Sequence, residues 1–104
     1  PIKFQSIDNA EHYTAHLCTV RIAERQLFMN SLQNARIGTD IHYPVPDYRQ
    51  PAFLVNGTPQ TILRETEKLV SEIVTLPCFP EMTHAEVETV ISFIHRYFEH
   101  KGRS

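Results

Sequence analysis

IGTDIHYPVP, residues 37–46, and TLPCFPEMT, residues 75–83, are the two runs on which the reading of this chain turns. Each stops an apolar segment with proline, which fixes φ and removes a backbone donor, so neighbouring side chains are held at set positions outside a sheet. The first run places His42 and Tyr43 beside the break. A titratable ring and a phenol held at the end of a strand form a surface that a ligand can use. Read on spacing alone, the same pair also fits two polar aromatics finishing an edge strand, with Tyr43 half-buried.

Working outward, residues 1–11 form a lead-in with a short extended piece at Ile2–Phe4. His12–Ile22 reads as a strand, being rich in β-branched and aromatic types with Tyr13, Ala15 and Leu17 alternating. Glu24–Ala35 reads as a helix with Leu27, Phe28, Leu32 and Ala35 on one side, closed by Gly38. Thr39–Tyr43 reads as a short strand, and residues 44–60 as a long loop marked by Pro46, Pro51, Gly57 and Pro59, a length usually associated with function. Thr61–Glu72 is a helix with an apolar stripe of Ile62, Leu69, Val70 and Ile73, followed by a strand over Ile73–Leu76. Thr83-His84-Ala85-Glu86 is a capping box opening a last helix, on which Val87, Val90, Ile91, Ile94 and Phe98 recur at the helical period. Residues 100–104 read as a flexible polar tail.

This order predicts an α+β fold, with a small three- to four-stranded, mostly antiparallel sheet and helices on one face. The other sheet face is left open as a docking surface. At 104 residues and 41% hydrophobic content the chain has room for one modest core. Its net charge of −2, with Lys and Arg scattered, argues against nucleic acid as a partner. No run of about 18 apolar residues is present, so no membrane span and a cytoplasmic location are expected. Cys18 and Cys78 read as reduced, buried thiols.

His12 and His16 invite a metal reading, but on a strand they stand about 13 Å apart, too far for one ion. No metal site is expected. Pro1 raises another possibility, a tautomerase using an amino-terminal proline as general base. Against it, no clean alternating strand follows and no arginine pattern suggests a carboxylate substrate.

The stretch NARIGTDIHYPVPDYRQPAF, residues 34–53, resembles the pattern gIgT-x-x-HYPvP-x-H-x-QPaf of the DegT/DnrJ/EryC1/StrS sugar-nucleotide aminotransferases. Residues 63–69 and 72–86 resemble that family's LP-x-TE and E-I-x-S-LP-x-x-P-x-x-T-x-x-E-V ending, and residues 16–22 its HLY-x-x-R opening. Together these motifs span roughly His12 to Phe98.

The resemblance implies the carboxy-terminal small domain, over residues 12–99, of a fold-type-I aminotransferase that uses pyridoxal phosphate (PLP). Such an enzyme transfers an amino group, typically from glutamate, to a nucleotide-linked keto sugar as part of polysaccharide biosynthesis. It further implies a homodimer, a nucleotide-sugar substrate, and a large PLP-binding domain of the same polypeptide carrying the Schiff-base lysine. Lys3, Lys68 and Lys101 do not suit that role, so this chain alone is expected to be inactive. Carried over by position, His42 and Tyr43 become substrate-binding candidates, with Thr39 and Gly38 in the turn that presents them. Tyr48 is a further candidate, standing where the family commonly has histidine; Arg64 stands where proline is common. The contrasting reading is a stand-alone, non-catalytic binding module of the same fold.

Overall fold

The computed structural model describes residues 2–103, so the amino-terminal proline of the tautomerase reading lies outside the described residues. Strand β1 (Lys3–Phe4) is followed by β2 (Cys18–Arg21), α1 (Arg25–Asn34), β3 (Leu54–Val55), β4 (Thr58–Pro59), α2 (Arg64–Glu72), β5 (Ile73–Leu76) and α3 (His84–Lys101). β1, β2 and β5 form an antiparallel sheet in that order, and β3 pairs with β4 as a separate hairpin. This is the expected small α+β architecture.

Register explains where the core lies. Val20 sits opposite Val74 and Cys18 opposite Leu76, so these four share one face, while the pairs Thr19–Thr75 and Arg21–Ile73 share the other. The first face joins Ile22, Phe28, Leu32 and Ile37 to form the buried core, against which α3 packs Val90, Phe93, Ile94, Tyr97 and Phe98. Phe28 is fully buried and meets Tyr97 edge-on at 5.3 Å and Phe98 stacked at 6.1 Å, so one ring ties α1 to α3.

The stripes are narrower than the periodicity suggests. Leu27 of α1 is exposed, as are Val87 and Ile91 of α3. Around α3 the side that meets the core carries Val90, Phe93, Ile94, Tyr97 and Phe98, so the buried stripe is rotated away from Val87 and Ile91. The packing falls instead on the turns carrying Phe93 and Tyr97. On α2, Val70 is half-buried, whereas Leu69 and the preceding Ile62 are exposed.

Three further expectations are corrected. The strand over His12–Ile22 shrinks to Cys18–Arg21, because Ala10–His12 forms a single 3₁₀ turn capped by Asn9 and Ala15 adopts φ 54°. Thr39–Tyr43 makes only one bridge, Asp40 to Thr75, because Tyr43 turns away at φ 57°. The long loop has structure: 3₁₀ turns at Asp47–Arg49 and Pro51–Phe53, then a hairpin whose tip, Asn56-Gly57, has φ of 52° and 74°. Two successive positive φ values are the signature of a type I′ turn, and Asn-Gly is its preferred dipeptide.

α1 also ends differently from expectation. Arg36, not Gly38, takes the left-handed conformation at φ 61°. The Ile37 N–H then donates to Leu32 O at 2.9 Å and the Arg36 N–H to Gln33 O at 2.9 Å, a Schellman closure whose hydrophobic contact is the buried pair Ile37 and Leu32. The capping box of α3 is present as read: Thr83 Oγ1 accepts from Glu86 N at 3.2 Å, and Glu86 Oε2 accepts from Thr83 N at 2.9 Å. Cys18 is half-buried and Cys78 exposed, so only the first approaches the expected burial; both are free thiols. Burial, and then the neighbouring Cys78, push the Cys18 thiol pKa up.

Candidate functional site

The sheet face opposite the core is the polar one. There Arg21 directs Nε and Nη2 onto the same Glu72 oxygen, at 3.0 and 2.7 Å. Arg25, at the start of α1, donates to Val70 O at 2.5 Å, placing a cation at the carbonyl end of α2. Over this face opens a cleft of about 1130 Å³, walled by residues 12–17, by Thr19, Arg21 and Ile73 of the sheet, by Thr66, Leu69 and Val70 of α2, and by His42 and Tyr43.

His42 is held in three steps. Asp40 exchanges both backbone hydrogen bonds with Thr75, at 3.2 and 2.8 Å, which ties the segment to the free edge of β5. Two residues on, His42 therefore lies over the polar face, and its Nδ1 sits 2.9 Å from Thr75 Oγ1. The chain then turns sharply, leaving Tyr43 in the left-handed region directly before Pro44. A residue preceding proline strongly prefers extended backbone, and a tyrosine at positive φ is strained, so the surrounding structure holds it there. As a result Tyr43 is 76% exposed, not half-buried, with its ring 6.4 Å from that of His42 at 58°.

Of the four candidates the structure brings two together. His42 and Tyr43 share the cleft. Thr39 and Gly38 lie in a second hollow of about 850 Å³ with Thr75, Pro77 and Cys78, and His42 forms part of the wall of both. Tyr48 lines neither hollow, because its hydroxyl donates to Glu67 Oε1 at 2.8 Å. Arg49 pairs with the same oxygen through Nε, and its guanidinium lies 6.0 Å from the centre of the Tyr48 ring. Arg49 first, and then Tyr48, hold the Glu67 carboxyl below the usual range. Desolvation and the Glu67 hydrogen bond push the Tyr48 phenol up, and Glu67 raises Arg49. This triad fastens the long loop to α2.

Thr75 and Glu67 are the residues that sequence reasoning missed. Thr75 reads as an ordinary strand threonine, and Glu67 as one of four charges on the watery side of α2. Their partners lie 33 and 19 residues away, so no local pattern reports them.

His12 and His16 both border the cleft. Among the described residues no group of three or more His, Cys, Asp or Glu side chains could hold a metal ion. The lysines do not fit a Schiff-base role, which needs a desolvated amine set against the cofactor. Lys3 borders the cleft, but it is exposed on a two-residue strand. Lys68 is exposed on α2, and Lys101 is paired with Glu24.

Comparison with known proteins bears on the family and the fold. The model of the DegT/DnrJ/EryC1/StrS aminotransferase family matches residues 1–95. The chain is 34% identical over 96 residues to the dTDP-3-amino-3,6-dideoxy-alpha-D-galactopyranose transaminase of Aneurinibacillus thermoaerophilus, covering 92% of this chain and 26% of that protein. It is 29% identical over 92 residues to a pleiotropic regulatory protein of Geobacillus stearothermophilus, covering 88% of this chain and 25% of the relative. Among solved structures, S. venezuelae DesV in complex with a ketimine intermediate superposes with a TM-score of 0.80 at 26% identity, over 92% of this chain and 26% of DesV. The chain thus spans about a quarter of the relatives it matches, and it belongs to the DegT/DnrJ/EryC1/StrS aminotransferase family.

Proposed function

We propose that this chain is the carboxy-terminal small domain of a PLP-dependent aminotransferase acting on a nucleotide-linked keto sugar, with glutamate as the amino donor. The observation that carries the reading is the His42–Tyr43 ledge over the cleft on the polar sheet face, in a chain aligned over 92% of its length with a dTDP-sugar transaminase. An imidazole N–H and a phenol O–H side by side are donors suited to sugar hydroxyls or phosphate oxygens. Thr39 and Gly38 shape the turn before the ledge. Tyr48 acts through the loop it fastens.

The cofactor carries the amino group and stabilises carbanion character when bound. None of the three lysines here suits its attachment, so we assign it to a large domain of the same polypeptide, and this chain alone does not transaminate. The parent is read as a cytoplasmic homodimer of polysaccharide biosynthesis. No helix among the described residues is long and apolar enough to cross a membrane. The uncovered apolar side chains Phe4, Val45, Ile62 and Leu69 are the surface on which the rest of the polypeptide packs.

The test uses the full-length polypeptide with PLP, glutamate and a dTDP-linked keto sugar. Amino transfer is expected, and His42→Ala with Tyr43→Ala should lower kcat/KM at least tenfold, the loss of roughly one to two donor hydrogen bonds. Unchanged turnover in the double variant would remove the ledge from the site. The name of the Geobacillus relative favours a second reading, a regulatory module without catalysis. Sugar-nucleotide binding with no amino transfer by the full-length protein would select it.

A further inference from the structure

Thr75 is a buried polar residue, 7% exposed, in the middle of β5. Its backbone is occupied by Asp40, and the only hydrogen bond of its side chain among the described residues is the 2.9 Å contact with His42 Nδ1. No buried side-chain oxygen or nitrogen among those residues lacks a partner. A hydroxyl removed from water must place its proton on an acceptor, and leaving it stranded costs the full desolvation penalty. Were Nδ1 to carry the ring proton, Thr75 would accept it and its own O–H would have no acceptor among the described residues. With the hydroxyl donating, Nδ1 supplies the acceptor.

We infer that Thr75 is a positioning residue for His42: its O–H donates to Nδ1, so the neutral imidazole carries its proton on Nε2. The hydrogen bond that one ring nitrogen makes sets the state of the other. His42 then presents an N–H donor with no partner among the described residues, at a wall common to both hollows. Its complement is an acceptor oxygen, of a sugar or of a phosphate. Only the identity of that ligand rests on the proposed function.

The test labels the histidines of the full-length polypeptide with ¹⁵N and records ring nitrogens above the pH at which imidazole titrates, with His42 identified by its loss in H42Q. The expected signature is an unprotonated Nδ1 and a protonated Nε2. T75V should redistribute the tautomers and weaken binding of dTDP-glucose about fivefold, one hydrogen bond's worth. T75S should restore both, which a merely structural defect would not predict. A protonated Nδ1 in the wild type, or a T75V spectrum identical to wild type, overturns the inference. If the tautomer behaves as expected and H42Q still binds dTDP-glucose like wild type, the positioning role stands and the substrate role of His42 falls.

Discussion

The two faces of the three-stranded sheet are built from alternate residues of the same strands, yet they do different work. On one face Val20 and Val74 are 1% and 0% exposed beneath Phe28 and Leu32, and Cys18 and Leu76 complete an apolar layer without ion pairs. On the other face the same strands present Thr19, Arg21, Ile73 and Thr75, with ion-paired Arg21 and hydrogen-bonded Thr75. Above them stand two residues at positive φ, Ala15 and Tyr43. A period of two lets a short sheet separate packing from recognition, because neighbouring residues can be tuned independently. The packed face has to be close to optimal for the polar face to hold strained and partly solvated groups.

The most direct way to break this comparison is to truncate each face in turn. Phe28→Ala should destabilise the chain by about 3–5 kcal/mol, since it removes a fully buried ring and its contacts with Tyr97 and Phe98. In a domain this small, that loss should largely abolish cooperative urea unfolding. Tyr43→Gly should do the reverse: stability is unchanged or rises by up to about 1 kcal/mol as positive φ is relieved, while sugar-nucleotide binding by the full-length protein falls. If Tyr43→Gly unfolds the domain, the polar face is structural after all. Thr83→Ala should cost about 1 kcal/mol by removing one half of the capping box, and Thr83→Asp should recover most of it. Gly57→Ala should cost about 0.5–1 kcal/mol because its φ is +74°, in a hairpin remote from the core. Urea unfolding midpoints check both, and a loss at Gly57 larger than at Thr83 would mean the hairpin supports the core.

What was legible in the sequence divides along the same line. β5, α1 and the start of α3 are announced by local signals: a β-branched run stopped by Pro77, helix formers after Glu24, and a capping box at Thr83. The packed face follows from them, although the choice of Phe93 and Tyr97 over Val87 and Ile91 depends on how α3 is rotated about its axis against the sheet. Asn56-Gly57 carried a readable hairpin signal that the abundance of prolines around it masked. Arg36 in place of glycine at the end of α1 was not readable, since the burial of Ile37 on Leu32 holds it there. On the polar face His42 and Tyr43 stood out beside Pro44. Their geometry did not, because it depends on Asp40 finding Thr75 across 35 residues. Tyr48 stood out for its position in the motif, and only the folded loop shows that its hydroxyl faces α2.

The smallest effect concerns that loop. Glu67 accepts from both Tyr48 and Arg49, and Arg49, then Tyr48, lower its pKa in the folded chain. A carboxyl with a folded value below its unfolded one binds fewer protons when folded. Its contribution is therefore complete above the ordinary glutamate value of about 4.3, and it is lost as the pH falls through the folded value. Because the Glu67 side chain is 34% exposed and Arg49 39%, solvent screens the pair and the slope should be shallow. Glu67→Gln should flatten stability against pH in that acid window, with a small loss at neutral pH that vanishes as the pH falls through the folded value. The same variant should loosen the loop, seen as faster amide exchange between Asp47 and Phe53, with exchange in β2 and β5 unaffected. An identical acid slope in Glu67→Gln would show that the triad adds nothing to stability; faster exchange in the sheet would show that the loop and the packed face are one cooperative unit, and the separation of the two faces would be lost.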